Sequence, residues 1–268
     1  MSQLALGGVG PRPISVCVVG AGAIGQTVID SLRAGAVPDV RLTDVLTSGS
    51  IAPEVDAAID AADVVVEAAT VDAARTLIPK VTGHGKDIVV CSCAVFAERE
   101  TDVESYSAGP GRVLLPTGAI GGFDILAAAA RAGTRDARLT HTTIKRPSAL
   151  DIGRSEHGEG EVFRGSAREA ALAFPRTSNS SVALALATLG LDRVEVVVVA
   201  DPIATSTRHV VVWESPVGRY ELTFANSVDP SSNGRTSAIT AWSVIEVLAS
   251  LARGIGPGAV VLGPRRIQ

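Results

Sequence analysis

The stretch VCVVGAGAIGQTVIDSLRAG (residues 16–35) decides the fold of this chain. Ile14, Val16, Val18 and Val19 predict a short apolar strand running directly into GAGAIG. A helix should follow, with Ile24, Val28 and Leu32 on one face and Gly35 placed to stop it. Gly20 permits the tight turn, Gly22 lets the backbone approach a pyrophosphate, and Gly25 lets helix and strand pack closely. The free N–H groups of the first helical turn, at Ala23 and Ile24, favour a phosphate, as does the helix dipole. Asp44 ends the next apolar segment (Val40, Leu42) about 20 residues on, where a carboxylate accepts bonds from a ribose diol. A glycine-rich turn without a ligand would explain the glycines, but not this order of strand, turn, helix and acid.

With 268 residues the chain can bury a sizeable core in two domains. It carries 24 basic and 28 acidic residues, has no basic block, and is poor in aromatics. That balance argues against a nucleic-acid partner. No apolar run reaches the roughly 18 residues of a membrane span. The opening MSQLALGGVGPRP lacks the features of a signal peptide and reads as a short arm. Cys17, Cys91 and Cys93 all fall in apparent strands, and an odd count at apolar positions fits reduced thiols in a cytoplasm. Cys91-Ser92-Cys93 lacks the partners a metal site needs, so no metal is expected.

Up to residue 115 the chain alternates strand and helix, the grammar of a parallel, doubly wound α/β sheet of the Rossmann type. Strands are expected at Asp63–Glu67, Ile88–Cys91 and Val113–Leu115, with Thr70 capping a helix that ends near Gly83 and Gly85. Right-handed crossovers place their C-terminal ends along one ligand-binding edge. Ala69, just beyond VVVE, belongs to that edge. From Pro116 to residue 235 the pattern changes to a second, α+β domain. It comprises TGAIGG, an alanine-rich helix from Phe123, the alternating strand RLTHTTIKRP, an exposed loop DIGRSEHGEGE and two helices. Three β-rich segments then suggest antiparallel pairing, with a turn at Pro216-Val217-Gly218. The amphipathic helix over residues 236–253 is expected to fold back on the first domain.

A dinucleotide domain joined to a second domain suggests hydride transfer, with an acid/base and substrate anchors supplied by the second domain. Of four histidines, His84 and His157 lie in loops. His141 alternates with Leu139 and Thr143 and reads as packed in a strand. His209 opens a strand after DPIATSTR, a junction suited to catalysis. The residues alone barely separate these last two. The glycines of TGAIGG permit close approach to a ligand or simply a tight interdomain turn. Asn179 reads as a helix cap by itself. Lys145 and Arg146 are candidate anchors for a dicarboxylate, or a solvated pair.

GAGAIG, VVVEAAT, PTGAIGGFD, FRGSAREAALAFP with Asn179, and ADP followed by His209 resemble the L-aspartate dehydrogenase family over nearly the whole chain. The resemblance implies a Rossmann domain, a second α/β domain and a homodimer. The implied reaction is reversible NAD(P)-dependent oxidation of L-aspartate to iminosuccinate. The imine then hydrolyses to oxaloacetate and ammonia, or feeds quinolinate and NAD synthesis. It assigns His209 as the catalytic histidine and Ala119 and Asn179 as cofactor-binding positions. The chain departs from the family pattern at Thr207, Thr117 and Ser92-Cys93-Ala94. Asp44 would repel a 2′-phosphate and favour NAD, although nearby Arg41 could accept NADP. Two other readings compete: a related reductase of another small amino acid or cyclic imine, and a dinucleotide-binding sensor without turnover.

Overall fold

The computed structural model describes residues 12–98, 103–106, 108–150, 160–232, 236–255 and 260–262. Residues 1–11 of the expected N-terminal arm, and His157 with most of its loop, lie outside them. The chain begins with β1 (Ile14–Val19), α1 (Ala23–Arg33) and β2 (Val40–Leu46). Then come α2 (Ala52–Ala61), β3 (Val64–Glu67), α3 (Val71–Gly83) and β4 (Asp87–Val90). A 3-10 turn at Cys93–Ala97, α4 (Val103–Tyr106) and β5 (Val113–Leu115) complete this part. The strands form one sheet in the order β11-β5-β4-β3-β1-β2, with β11 (Val260–Leu262) antiparallel on β5 and the other pairs parallel.

Helices on both faces explain why β3 is buried throughout and β1 everywhere but at its two ends. The turn after β1 needs its glycines. Gly20 has φ +99°, and a Cβ there would stand 2.5 Å from the Ala68 carbonyl oxygen; a Cβ on Gly25 would run into the Gly20 carbonyl oxygen. Around Gly22 there is nothing within 4 Å, so that approach is open. Thr70 caps α3 as expected, its Oγ1 accepting the Ala73 N–H at 3.2 Å. The sequence reading passed over α2, whose signals are Pro53 in its first turn and Glu54 reaching back to the Ile51 N–H.

The second sheet is built from β6 (Arg138–Lys145), β7 (Gly160–Ser166), β8 (Val194–Ala200), β9 (Thr207–Ser215) and β10 (Gly218–Asn226) in the order β10-β9-β6-β8-β7. Here the expectation of antiparallel pairing needs correction. β9 pairs antiparallel with both β10 and β6, but β8 runs parallel to β6. The connection from β6 to β8 contains β7, α6 (Ala167–Ala173) and α7 (Asn179–Ala187), long enough for a crossover. β7 was absent from the sequence reading, which placed a loop there. α5 (Phe123–Ala132) precedes β6.

The last helix, α8 (Ile239–Arg253), buries Val244, Ile245 and Leu248 in one apolar cluster with Val28, Ile29 and Leu32 of α1. It therefore packs on the first sheet's helical layer. Gly254, in the left-handed region at φ +67°, ends it. All three cysteines are free and buried, but only Cys17 lies in a strand. Cys91 follows β4, and Cys93 opens the 3-10 turn.

Candidate active site

The cleft lies where the C-terminal ends of β3 and β4 face α7 and β9. One chamber is lined by Ile24, Cys91, Ala119, Lys145, Asn179 and His209 among others, and a second runs on over Ala68, Ala69 and Thr70. Ile24, Cys91, Arg176 and Asn179 border both, so the two are continuous. The seat for a dinucleotide is consistent with the backbone here. α1 begins at Gly22 without a side-chain cap, which leaves its first N–H groups for a ligand, and the space over Gly22 is open.

Glu67 shapes the floor. Burial pushes its carboxyl above the usual glutamate range, against the pull of the groups it bonds. It accepts the Ala69 N–H at 2.8 Å, the Ser92 N–H at 2.9 Å and the Ser92 hydroxyl at 2.9 Å. The loops after β3 and β4 are thereby tied together. The Ala69 N–H is consequently engaged within the protein. A carboxylate closing an otherwise apolar buried strand was the signal that could have singled Glu67 out.

PTGAIGG is pinned from three elements. Gly118 N–H donates to Ser243 Oγ of α8 at 3.2 Å, and Ala119 N–H to Ser180 Oγ of α7 at 3.1 Å. Ala119 C=O accepts from Asn226 Nδ2 of β10 at 2.7 Å. Only a second lone pair of that carbonyl is left for a ligand. Gly118 sits at φ +68°, and a Cβ there would lie 2.5 Å from Ser180 Oγ. The loop is both an interdomain turn and a wall of the cleft.

Asn179 is not the cap that its position suggests. Ser178 precedes the helix, and Asn179 Oδ1 instead accepts the Ala94 N–H at 3.0 Å across the cleft. The neighbouring SAREA segment is structural. Ser166 and Glu169 form a capping box, and Arg168 donates to the Ala97 carbonyl at 3.0 Å while pairing with Asp192. Arg176, which the sequence analysis did not single out, borders both chambers.

His209 and His141 come together. Both are buried on β9 and β6, whose antiparallel register brings His209 opposite Thr143. His209 Nδ1 lies 3.1 Å from His141 Nε2 and 3.2 Å from Thr143 Oγ1. His141 Nδ1 lies 2.8 Å from Ser181 Oγ. His209 Nε2 is buried without a hydrogen-bond partner, and the residue lines the first chamber. Burial first, then the charges of His141 and Lys145, holds His209 well below the usual histidine range. His141 is packed, as expected of a strand residue, but it also bonds the candidate base.

Lys145 ends β6 and Arg146 follows it, and the two differ in burial. Lys145 is buried, lines the chamber of His209, and is lowered to about 8 by burial. Arg146 is exposed just past β6 and donates to the Ala204 carbonyl outside that chamber. Lys145 and Arg146 nevertheless border a further chamber together, with Ser148, Ala204 and Thr207. Asp44 also departs from its expected place. β2 continues to Leu46, which lies level with Val19, whereas Asp44 is level with Cys17. It borders a separate shallow depression that includes Arg41.

A family model described as aspartate dehydrogenase, C-terminal, matches residues 124–251. One described as the NAD-binding domain of homoserine dehydrogenase matches residues 20–108. The L-aspartate dehydrogenase of Methanothermobacter thermautotrophicus is 35% identical over 91% of this chain and 98% of its own. The chain belongs to the L-aspartate dehydrogenase family. The enzyme of that name from Methanopyrus kandleri is 32% identical over 92% of this chain and 99% of its own. The crystal structure of aspartate dehydrogenase from Thermotoga maritima shares the fold, with a TM-score of 0.67 and 24% identity, covering 89% of this chain and 96% of its own. Membership of this family makes the chain an NAD(P)-linked amino-acid dehydrogenase, with a Rossmann-like domain and a second domain. No helix among the described residues is long and apolar enough to cross a membrane.

Proposed function

We propose that the chain oxidises L-aspartate reversibly to iminosuccinate, with His209 as general base, and with the rim formed by Gly20, Gly22, Ala23, Ile24 and Gly25 seating the dinucleotide. One observation carries this reading. His209, whose Nε2 is buried without a hydrogen-bond partner, lines the same chamber as Ile24 of the glycine loop and Asn179. A lone imidazole nitrogen held out of water beside a cofactor seat is what proton removal from a substrate ammonium requires.

A nicotinamide held on this rim would supply the hydride acceptor for the substrate Cα. His209 Nε2 first takes a proton from the ammonium, leaving the nitrogen lone pair that expels the hydride. Its lowered proton affinity keeps it neutral, and so able to act as a base, near neutral pH. Burial of that nitrogen supports proton transfer directly from the substrate rather than through bulk water. Asn179 and the Ala119 carbonyl orient the nicotinamide end. Lys145 offers a cation to a substrate carboxylate, and Arg176 offers a second at the border of the two chambers. Holding the reacting atoms in line supplies several kcal/mol, on the order of magnitude of intramolecular catalysis.

Both NAD and NADP are cofactors in this reading, since Asp44 lies two residues short of the end of β2 and shares its depression with Arg41. The same reading places the seam between the domains after Leu115 and assigns 236–253 to the first. It includes a homodimer, by resemblance to the family. A cytoplasmic location is supported by three free, buried thiols. The deciding assay is NADH oxidation with oxaloacetate and ammonium, repeated with NADPH and with other oxo acids and a cyclic imine. Turnover confined to a cyclic imine or another oxo acid would favour the related reductase. Stoichiometric NADH binding without consumption would favour a sensor.

A further inference from the structure

We propose that His141 is a positioning residue for this reaction: its Nε2 accepts the Nδ1–H of His209 and so aims the other nitrogen of that ring into the cleft. This rests on His209 being the base.

The geometry is a chain of three buried side chains from three elements. Ser181 of α7 meets His141 of β6, and His141 meets His209 of β9, at 2.8 Å and 3.1 Å. The two rings lie 5.2 Å apart between centroids and tilt by 31°. Partners at both nitrogens satisfy the buried ring of His141 and also couple its tautomer to that of His209. The proton arrangement that leaves a lone pair on His209 Nε2 has His209 Nδ1–H donating to His141 Nε2, and His141 Nδ1–H donating to Ser181 Oγ. Thr143 Oγ1 is a second acceptor beside His209 Nδ1, at 3.2 Å. The reverse arrangement would place a hydrogen on His209 Nε2 and leave nothing there to take a proton.

Once Nε2 has taken a proton, the Nδ1–H of a charged ring donates to a neutral imidazole, a charge-assisted bond in a dry site. His141 must stay neutral for this. Burial, with Lys145 nearby, brings it down to about 4. The other titratable groups facing His209 are Lys145 on its own sheet and, across the cleft, Cys91, Cys93 and Arg176. The charged forms of Lys145 and Arg176 donate only, and the acceptors beside Nδ1 are His141 Nε2 and Thr143 Oγ1.

The test compares the pH dependence of kcat for aspartate oxidation in the wild type, His141→Leu, His141→Gln and Ser181→Ala, with NADH binding measured by fluorescence. His141→Leu is expected to lower kcat by about 10- to 100-fold, the worth of one hydrogen bond to a charged group. Its acidic limb should move to lower pH, because the imidazolium loses its acceptor. NADH affinity should hold. His141→Gln, with an amide oxygen to accept, should recover most of both. Ser181→Ala should move the limb the same way by less.

An unmoved limb in His141→Leu and Ser181→Ala overturns the proposal, whatever happens to kcat. Equal losses in Leu and Gln variants do so as well. Should His141→Leu not fold, an unmoved limb in Ser181→Ala is sufficient to refute it. His209→Ala separates this from the underlying reading: retained turnover there removes His209 itself, whereas lost turnover with unmoved limbs removes only His141.

Discussion

Asn179 Oδ1 accepts the backbone N–H of Ala94 at 3.0 Å, joining the first turn of α7 to the 3-10 turn that follows β4. One side chain thus spans the cleft it helps to line. Asn179→Ala should cost about 1 kcal/mol of stability, the net worth of one hydrogen bond. It should also weaken NADH binding by about tenfold if the same amide contacts the cofactor. Thermal unfolding with and without NADH checks both, and an unchanged ligand-induced rise in Tm would remove Asn179 from the cofactor seat.

Gly22 and Gly25 should separate folding from binding. A methyl on Gly25 meets the Gly20 carbonyl, so Gly25→Ala is expected to destabilise the protein by about 3 kcal/mol or more. A methyl on Gly22 meets nothing within 4 Å. Gly22→Ala should therefore leave the Tm near wild type while weakening NADH binding, because the methyl occupies the approach of the pyrophosphate. Equilibrium titration of both variants, alongside their melting curves, measures the contrast.

His209→Ala should retain NADH affinity and lose about 10²-fold or more in turnover. Stopped-flow single turnovers with bound NADH would show whether the loss lies in the chemical step. Undiminished single-turnover rates would assign the proton transfer to another group.

Lys145 links the site to pH. Burial lowers it from 10.5 to about 8, so the unfolded chain holds the extra proton between those values and stability rises with pH across that window. Below about 8 the buried charge is fully costly. Lys145→Met should therefore raise the Tm at pH 7, with the advantage shrinking above pH 8. The wild-type KM for aspartate should rise as Lys145 loses its charge, whereas the variant should show a high KM that stays flat. A wild-type KM that is level through pH 8 would dismiss Lys145 as a carboxylate anchor.

Legibility in the sequence tracked how local the physics was. The β1-to-α1 turn could be read because Gly20 and Gly25 answer steric demands made within a few residues or just past the adjoining strand. Thr70 could be read as a cap for the same reason, since its partner Ala73 is three residues on. α2 was lost among alanines, whose spacing carries no face, and β7 behind a charged, glycine-rich run. The parallel run of β8 beside β6 depends on a crossover through two helices, which alternation along either strand does not report.

The chain alone determined a glycine-lined sheet edge, a second α+β unit and the histidine that the family resemblance assigns to catalysis, because these rest on short-range periodicity and on ordered motifs. Tertiary structure alone decided which groups share the cleft. It turned Lys145 inward and Arg146 outward, kept Asp44 two residues short of the strand end, and set His141 against His209. Those outcomes follow from pairing register and burial, and both are settled by strands that lie far apart along the chain.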